Sequence, residues 1–369
     1  MRFLVLALIP FVVGIAFYLY FFLRRTLSVF GIEVKAWRVR IPLMAASALL
    51  ALGSFAFEGF VLVIYLHLMA TSLAVRLIHF IVRMIAGKQK KLSLWKKIYR
   101  SGALPILLTA VILVGGAINL HSVQATRYTV YTEKDIREEG YRVALIADVH
   151  FGVSLDEKEL REKCDEIGRE EPDIVILCGD IVDHSTTREG MYAVFEALGS
   201  IDSELGIYYI YGNHDRSMSM LDNAFTEEEL REVILSNGIT ILQDQILPLT
   251  DDLVIVGRED RSREGRASLS ALFETVDPSD FVLTLDHQPN QYSENKKLGT
   301  DLLLSGHTHG GQFFPINYLQ ELIPFNDAVY GMYSLGKGKA IVTSGFGTWS
   351  YPSKTAGPAE YVIIDILPE

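Results

Sequence analysis

Acidic residues are nearly absent from the first third of the chain. Residues 1–120 contain only Glu33 and Glu58, against 14 lysines and arginines, whereas the rest carries 43 acidic and 20 basic residues and a formal charge of −23. About a quarter of an ordinary soluble domain is charged. A stretch so poor in acids and rich in Leu, Ile, Val, Phe and Ala does not have the composition of such a domain. The sequence therefore predicts two regions of different kind, with a boundary near residue 120.

Cysteine is scarce as well, because the chain contains only Cys164 and Cys178. Two cysteines allow one disulfide at most, which excludes a disulfide-rich scaffold. Cys178 lies inside the apolar run IVILCGD, so we expect a small buried thiol there rather than a bridge.

Apolar stretches in the first region are long enough to cross a bilayer, which takes about 20 residues. Basic connections separate them, and four such runs in succession are not typical of buried helices in a soluble protein. The first run is too long for a signal peptide, and Arg24 and Arg25 follow it where small residues should stand. We therefore predict an all-α transmembrane region over residues 1–120 with about four helices: Phe3–Leu23, Ile41–Phe57, Phe60–Ile81 and Ala103–Leu120.

Lysine and arginine are concentrated in two connections of this region. Residues 24–40 contain five and residues 83–100 contain seven, whereas the intervening turn has only Glu58. Cytoplasmic loops are rich in these residues. Both connections are therefore predicted to be cytoplasmic, which places the amino terminus and everything after Leu120 outside. We expect residues 121–141 to form a polar tether.

Short β-rich runs alternate with helical patterns from Tyr141 onward, which predicts an α/β domain over residues 142–369. The strands are almost continuously apolar, as expected for sheets covered on both faces. The predicted strands are RVALIA, DIVILCG, IYYIYG, LVIVG, FVLTL, DLLLSG, AIVTSG and YVIIDI, and the predicted helices are Asp156–Glu171, Thr187–Leu198, Thr226–Ser236 and Ala267–Val276.

Polar residues directly follow five of these strands. In open α/β sheets, ligand sites lie outside the carboxyl ends of the strands. Each polar end alone is explained by a turn, a helix cap or a buried histidine, but five of the nine histidines fall in these five places. Together they favour one shared site, built from Asp148-Val-His150, Asp180-Ile-Val-Asp183, Asn213-His214-Asp215, Asp286-His287 and His307-Thr-His309.

The side chains in these ends are carboxylates, imidazoles and one amide. Such donors suit Mn, Fe or Zn better than a thiolate site would. Seven candidate ligands exceed the needs of one ion and fit two ions that share a bridging carboxylate. Such a pair acidifies a water and clamps the attacking and leaving oxygens in phosphoester hydrolysis. We therefore expect two divalent metal cofactors, with Mn favoured and Fe, Zn or a mixed pair as alternatives.

The ordered set Asp-x-His, Gly-Asp-x-x-Asp, Gly-Asn-His-Asp, a lone His and Gly-His-x-His resembles the signature of the calcineurin-like metallophosphoesterases, over residues 142–312. GHTHGGQ and the tail TSGFGTWSYPSKTAGPAEYVIIDI are similar to the bacterial membrane-associated branch typified by YkuE and YaeI. The resemblance implies a four-layer α-β-β-α sandwich and a metal-dependent phosphoesterase.

The resemblance also implies roles for individual residues. His214 would be the acid that protonates or stabilises the leaving oxygen, and Asp183 the carboxylate that orients His214. Asp180 would bridge the two metals. One metal would be held by Asp148, His150, Asp180 and His309, and the other by Asp180, Asn213, His287 and His307.

Two residues bear on the substrate. Protein phosphatases of the resembled family have an arginine after the second motif, whereas His184 stands here, which favours diesters or pyrophosphates over phosphoproteins. We interpret Arg258 either as a contact to substrate phosphate or as one half of a surface ion pair.

These observations predict a membrane-anchored, two-metal phosphodiesterase or pyrophosphatase whose phosphate-ester substrate is an envelope or lipid-linked molecule presented at the bilayer. The alternative is a membrane receptor or scaffold that binds phosphorylated ligands with little catalysis. The charge of −23 disfavours nucleic acid as a substrate, and nothing in the sequence points to a protein partner. Apolar residues of the segment 313–325, such as Leu319 and Leu322, could contact acyl chains, although core packing is the stronger expectation.

Overall fold

The computed structural model describes residues 2–55, 59–86, 93–216, 225–323 and 325–369. The chain forms two compact units, which we call the first unit, Met1–Gly115, and the second unit, Gly116–Glu369. The described helices of the first unit are α1 (Arg2–Leu27), α2 (Trp37–Leu52), α3 (Phe60–Ala86), α4 (Ser93–Ser101) and α5 (Ala103–Leu120), whose last turn belongs to the second unit.

Three stretches among the described residues are long and apolar enough to cross a membrane: Pro10–Phe30, Phe60–Ile85 and Ala103–Leu120. The fourth predicted span, Ile41–Phe57, is not among these three stretches. Helix α2 has 16 residues, or about 24 Å at 1.5 Å per residue, which is short of a hydrocarbon core of about 30 Å. It ends where Gly53–Phe55 form a 3₁₀ turn, and the predicted carboxyl end of the span lies outside the described residues.

The second unit contains two six-stranded sheets, ordered β1-β12-β2-β3-β4-β5 and β10-β11-β9-β8-β7-β6. Their strands are β1 (Gln124–Thr132), β2 (Tyr141–Ile146), β3 (Ile174–Cys178), β4 (Ile207–Ile210), β5 (Ile239–Ile241), β6 (Gln245–Pro248), β7 (Leu253–Gly257), β8 (Phe281–Leu285), β9 (Leu302–Ser305), β10 (Gly331–Leu335), β11 (Gly338–Val342) and β12 (Glu360–Pro368). The helices are α6 (Glu157–Gly168), α7 (Arg188–Gly199), α8 (Glu227–Ser236), α9 (Leu269–Phe273), α10 (Tyr292–Leu298) and α11 (Ile316–Leu322).

Alternating side chains of the strands build the layers, since successive residues face opposite sides of a sheet. In β2, Val143 and Leu145 join an apolar core that also contains Ile255 of the other sheet. Ala144 faces the opposite way, into the core that helices α6, α7 and α8 share with the first sheet. Helix α9 covers part of the second sheet from outside. The predicted four-layer α-β-β-α sandwich is thus confirmed.

Parallel pairing brings the polar strand ends together. Strands β2, β3 and β4 run parallel in the first sheet, and β7, β8 and β9 run parallel in the second. Parallel neighbours end at the same edge, so the motifs that follow β2, β3, β4, β8 and β9 collect at one edge of the sandwich.

The segment predicted to be a tether is partly strand. Gln124–Thr132 form β1, which pairs in parallel with Glu360–Pro368 at the edge of the first sheet. The partner strand is more than 200 residues away in sequence, and a half-exposed edge strand has only a weak apolar pattern. Local sequence reading therefore missed it, as it missed the short strands β5, β6 and β10.

Candidate functional site

The backbone is strained at the predicted ligands. A non-glycine residue with positive φ is uncommon, and such conformations persist where the surroundings enforce them, often at functional sites. The structure places five of the seven predicted metal ligands in this region: Asp148 (φ 54°), His150 (φ 43°), Asp180 (φ 55°), His307 (φ 72°) and His309 (φ 51°).

The ligand side chains gather in two groups. Atoms of Asp148, His150 and His309 lie within 4.8 Å of one another, and so do atoms of Asp180, His287 and His307. Asp180 lies between the groups, because its Oδ2 is 3.0 Å from His287 Nε2 and 3.8 Å from His150 Nε2. One carboxylate therefore faces both groups, as a bridging ligand would.

The residues on either side of Asn213 contact the Asp180 carboxylate and so hold Asn213 near it. The backbone N–H of His214 donates to Asp180 Oδ1 at 2.8 Å. A Cβ atom on Gly212 would overlap the Asp180 carboxyl group, so only glycine fits there. The loop after β4 thus packs directly on Asp180 and brings the Asn213 amide to the same edge.

The ligand atoms fit a cation because several of them lack any other partner. His150 Nε2, Asn213 Oδ1 and His309 Nδ1 are buried and form no hydrogen bond. Buried polar atoms in proteins are normally paired. Oxygen and nitrogen donors without thiolate match Mn, Fe or Zn, so the residues present fit divalent metal ions.

Burial sets the protonation of several ligands. It lowers the pKa of His307 to about 4 and that of His309 well below its ordinary value. The Asp180 carboxyl keeps a lowered pKa despite burial, because His287 lies against it. Neutral imidazoles and ionised carboxylates are the forms that bind metals.

His150 and His287 behave differently. Burial lowers the pKa of each imidazole, but adjacent carboxylates outweigh burial and raise both pKa values. The carboxylates are Asp183 and Asp180 beside His150, and Asp180 beside His287. A bound cation would compete with the proton that these carboxylates hold on each ring.

Asp183 lies against His150 in the structure. Its Oδ2 is 3.0 Å from His150 Nδ1, and its Oδ1 accepts hydrogen bonds from the backbone N–H and hydroxyl of Ser185. Burial raises the pKa of Asp183, but the His150 contact overrides this and lowers it to about 2. Asp183 therefore contacts a candidate metal ligand through one oxygen and Ser185 through the other, and its role in orienting His214 stays a prediction.

Asp215, to which the sequence assigned no role, fastens two loops of the site. Its carboxylate accepts from the backbone N–H groups of Asp180 at 2.8 Å, Ile181 at 2.8 Å, Val182 at 3.2 Å and Gly212 at 2.6 Å. Burial and the nearby Asp180 carboxylate raise its pKa to about 6, although the hydrogen bonds from the backbone of Gly212, Val182 and Asp180 oppose this shift. In the sequence, only the position of Asp215 next to His214 indicated that it belongs to the site.

Arg258 fits neither interpretation offered by the sequence. It is buried, pairs with Asp286 at 3.4 Å and donates to Gln291 at 2.6 Å. Arg266 forms a second ion pair with Asp286. Two arginines thus pair with Asp286, the residue before His287, and sequence reasoning did not indicate that Arg258 was buried.

His214 and Trp349 lie beside the two groups of candidate ligands, on the side that is accessible to solvent. The half-buried His214 ring lies 5.2 Å from the His150 ring and 5.4 Å from the Trp349 indole. Trp349 is 41% exposed. Burial lowers the pKa of His214, although the nearby Asp180 carboxylate opposes this shift.

The carboxyl-terminal loop covers Asp148. Gly347 N–H donates to the Asp148 carbonyl at 2.9 Å. The buried ammonium of Lys354 donates to carbonyls of this loop, including Gly345 at 2.8 Å and Gly347 at 3.3 Å. Burial lowers the pKa of Lys354 to about 7. Sequence reading missed Lys354 because a single lysine in a loop carries no pattern.

Residues 141–311 match the family described as calcineurin-like phosphoesterase. The chain therefore carries a calcineurin-like phosphoesterase domain. The matched segment runs from β2 to the 3₁₀ turn at His309–Gly311 and includes every predicted ligand.

Several curated proteins are similar to this chain. An uncharacterized metallophosphoesterase of Campylobacter jejuni is 28% identical over 268 residues, 71% of this chain and 69% of the relative. The uncharacterized metallophosphoesterase YkuE of Bacillus subtilis is 24% identical over 289 residues, 75% and 98% of the two chains. A zebrafish relative, named transmembrane protein with metallophosphoesterase domain, is 27% identical over 280 residues, 71% and 62%. Together with the three apolar helices, the last name indicates a membrane protein.

Proposed function

We propose that the second unit hydrolyses phosphodiester or pyrophosphate bonds with two divalent metal ions held by the paired groups of ligands. The phosphoesterase class follows from the family match. The observation that carries the two-metal proposal is the position of the Asp180 carboxylate, which lies close to His287 of one group of donors and to His150 of the other.

The proposed metal ligands are the same seven residues that the sequence motifs predicted. When bound, the two ions supply an acidified water and positive charge for the phosphoryl oxygens. We propose Mn, which suits this donor set. The first ion is held by Asp148, His150, Asp180 and His309, and the second by Asp180, Asn213, His287 and His307.

His214 acts on the leaving oxygen in this proposal. Because burial lowers its pKa, its imidazole is neutral at neutral pH and donates an N–H hydrogen bond. The backbone N–H of His214 donates a hydrogen bond to Asp180, which fixes the loop that carries His214. We therefore assign His214 to stabilising charge on the leaving oxygen, the kind of oriented donor that lowers reaction barriers.

The substrate is a phosphodiester or pyrophosphate of an envelope or lipid-linked molecule. The support is His184, which stands where the protein phosphatases have an arginine, and the three apolar helices of the same chain.

The second unit lies outside the cytoplasm in this proposal. Three crossing segments put the amino terminus and the second unit on opposite sides, unlike the predicted four. Residues 83–100 carry more basic residues than residues 24–40, and a cytoplasmic position for them leaves the second unit outside.

The test is hydrolysis of bis-p-nitrophenyl phosphate by the full chain with Mn²⁺, together with metal analysis, for the wild type, Asp180→Asn and the exposed control Asp251→Asn. We expect two metal ions per chain in the wild type. Asp180→Asn should lose at least about 100-fold in rate, since changes even to the partners of metal-bound histidines cost about 10- to 100-fold, and Asp251→Asn should match the wild type. Equal rates in all three proteins would contradict the proposal and favour a binding protein without catalysis.

A further inference from the structure

Helix α11 exposes an unusual amount of apolar surface. Core packing was the stronger expectation for most apolar residues of this segment; the buried Phe313 agrees with it, whereas Leu319, Leu322 and Ile323 contradict it. Large exposed apolar patches mark interaction sites with proteins or membranes. We call the following residues the α11 apolar surface: Tyr318 (55% exposed), Leu319 (52%), Leu322 (76%), Ile323 (60%) and Phe325 (80%).

This surface adjoins the metal-ligand loop. The 3₁₀ turn His309–Gly311 precedes the helix by four residues, and a Cβ atom on Gly311 would overlap Asn317 in the first turn of α11. Helix α11 is therefore packed against the segment that positions His307 and His309, so whatever covers its outer face lies beside the mouth of the site.

The same segment is linked, through Lys354 and Thr355 of the carboxyl-terminal loop, to the end of an apolar helix long enough to span a bilayer. Within the second unit, Asn119 at the end of α5 donates to the carbonyl of Lys354 at 2.9 Å, and Lys354 N–H donates to the carbonyl of Gly116 at 3.1 Å. The next residue, Thr355, donates to the Gln312 carbonyl at 2.8 Å. A short chain of hydrogen bonds thus joins the last turn of the candidate span Ala103–Leu120 to the start of the α11 segment.

We propose that the α11 apolar surface inserts into the lipid bilayer and holds the mouth of the metal site at the level of the lipid headgroups. The end of α5 brings lipid within a few residues of this surface, and amphipathic helices with apolar side chains on one side settle in the interface. Tyr318 suits this depth because it has an apolar ring and a polar tip. The exposed Glu321 remains on the headgroup side.

The proposal also names a substrate class, and this part rests on the phosphoesterase function proposed above. A metal site held at the headgroup layer acts on a phosphoester whose acyl chains stay in the bilayer. A water-soluble diester of similar chemistry gains nothing from the α11 apolar surface.

Insertion is tested with spin labels on the full chain in phosphatidylcholine vesicles. Leu322→Cys is labelled, with Lys158→Cys as the control on α6, where the lysine side chain is 84% exposed. The two native cysteines are buried and should not react. We expect the label at position 322 to be relaxed by oxygen, which concentrates in lipid, more than by an aqueous nickel complex, and the label at 158 to show the reverse. A label at 322 that behaves like the one at 158, or one shielded from both agents by a second protein copy, would overturn the proposal.

The substrate class is tested with Leu322→Glu/Phe325→Glu. We expect hydrolysis of bis-p-nitrophenyl phosphate to stay at the wild-type rate, whereas hydrolysis of dioleoylglycerol pyrophosphate in vesicles falls at least about tenfold, since interfacial binding scales with buried apolar area. An equal loss on both substrates would mean that α11 only supports the fold, and no loss on the vesicles would refute the lipid substrate. If the wild type hydrolyses neither substrate, the phosphoesterase proposal fails, while the spin-label result still decides insertion.

Discussion

The carboxylate of Asp183 is buried against His150, and this contact decides what a substitution there would change. Metal-bound histidines usually donate their second ring N–H to such a carboxylate, which fixes the ring and its tautomer. In this chain the 3.0 Å contact to His150 Nδ1 leaves Nε2 free to face the first group of ligands. We therefore expect Asp183 to act through His150 on the proposed metal site.

Asp183→Asn should weaken binding of Mn²⁺ by about 10- to 100-fold, because the amide no longer holds the His150 ring as a carboxylate does. The measurement is a Mn²⁺ titration of the full chain by calorimetry, followed by assay at saturating metal. His214→Gln is the contrasting variant: its metal content should be unchanged and its kcat lowered by about 100-fold, as for the loss of one oriented donor. Full metal affinity in Asp183→Asn with a lowered kcat would instead restore the role beside His214.

At the scale of elements, the ends of parallel strands carry the site and glycines let them meet. Gly306 follows β9, and a Cβ atom there would overlap the Asp148 carboxylate that follows β2. His307 N–H also donates to both Asp148 oxygens at 3.0 Å. The two sheets thus touch at this point through a backbone without a side chain.

Gly306→Ala should displace Asp148 and reduce the bound metal from two ions toward one while the sandwich stays folded. Metal analysis and circular dichroism of the purified full chain measure the two effects. Gly168→Ala on α6 is the matched control, because its new Cβ would meet nothing closer than 4.0 Å. Two ions in Gly306→Ala would show that Asp148 tolerates displacement or is not a ligand.

The elements also show what sequence reasoning could and could not predict. The strands before the motifs were predictable because apolar runs such as IVILC end in polar residues and glycine. The edge strand β1 was not, since its stability comes from a partner at the far end of the chain. The burial of Arg258 and the exposure of Leu322 likewise depend on which elements cover them, and that is decided only by tertiary packing.

At the scale of the whole molecule, the distribution of charge predicts sidedness. The seven basic residues at 83–100 precede the third candidate span, and the acidic second unit follows it. The positive connection is favoured in the cytoplasm, so the second unit should face outward.

Lys158→Cys should react with a membrane-impermeant maleimide in intact cells, because its side chain is exposed on the second unit. Lys96→Cys, in the basic connection, should react only after lysis. Background labelling is low, since Cys164 and Cys178 are buried. The reverse pattern would place the metal site in the cytoplasm.

The hydrogen bonds that join Gly116, as acceptor, and Asn119, as donor, to the carboxyl-terminal loop have a practical consequence for anyone preparing a soluble fragment. Cutting the chain after Leu120 would remove a buried leucine and leave the carbonyls of Lys354 and Gly357 without their donor. Because Lys354 also fastens the loop over Asp148, such a fragment would lose order at the metal ligands themselves, and poor activity in it would reflect the missing helical turn rather than the chemistry of the enzyme.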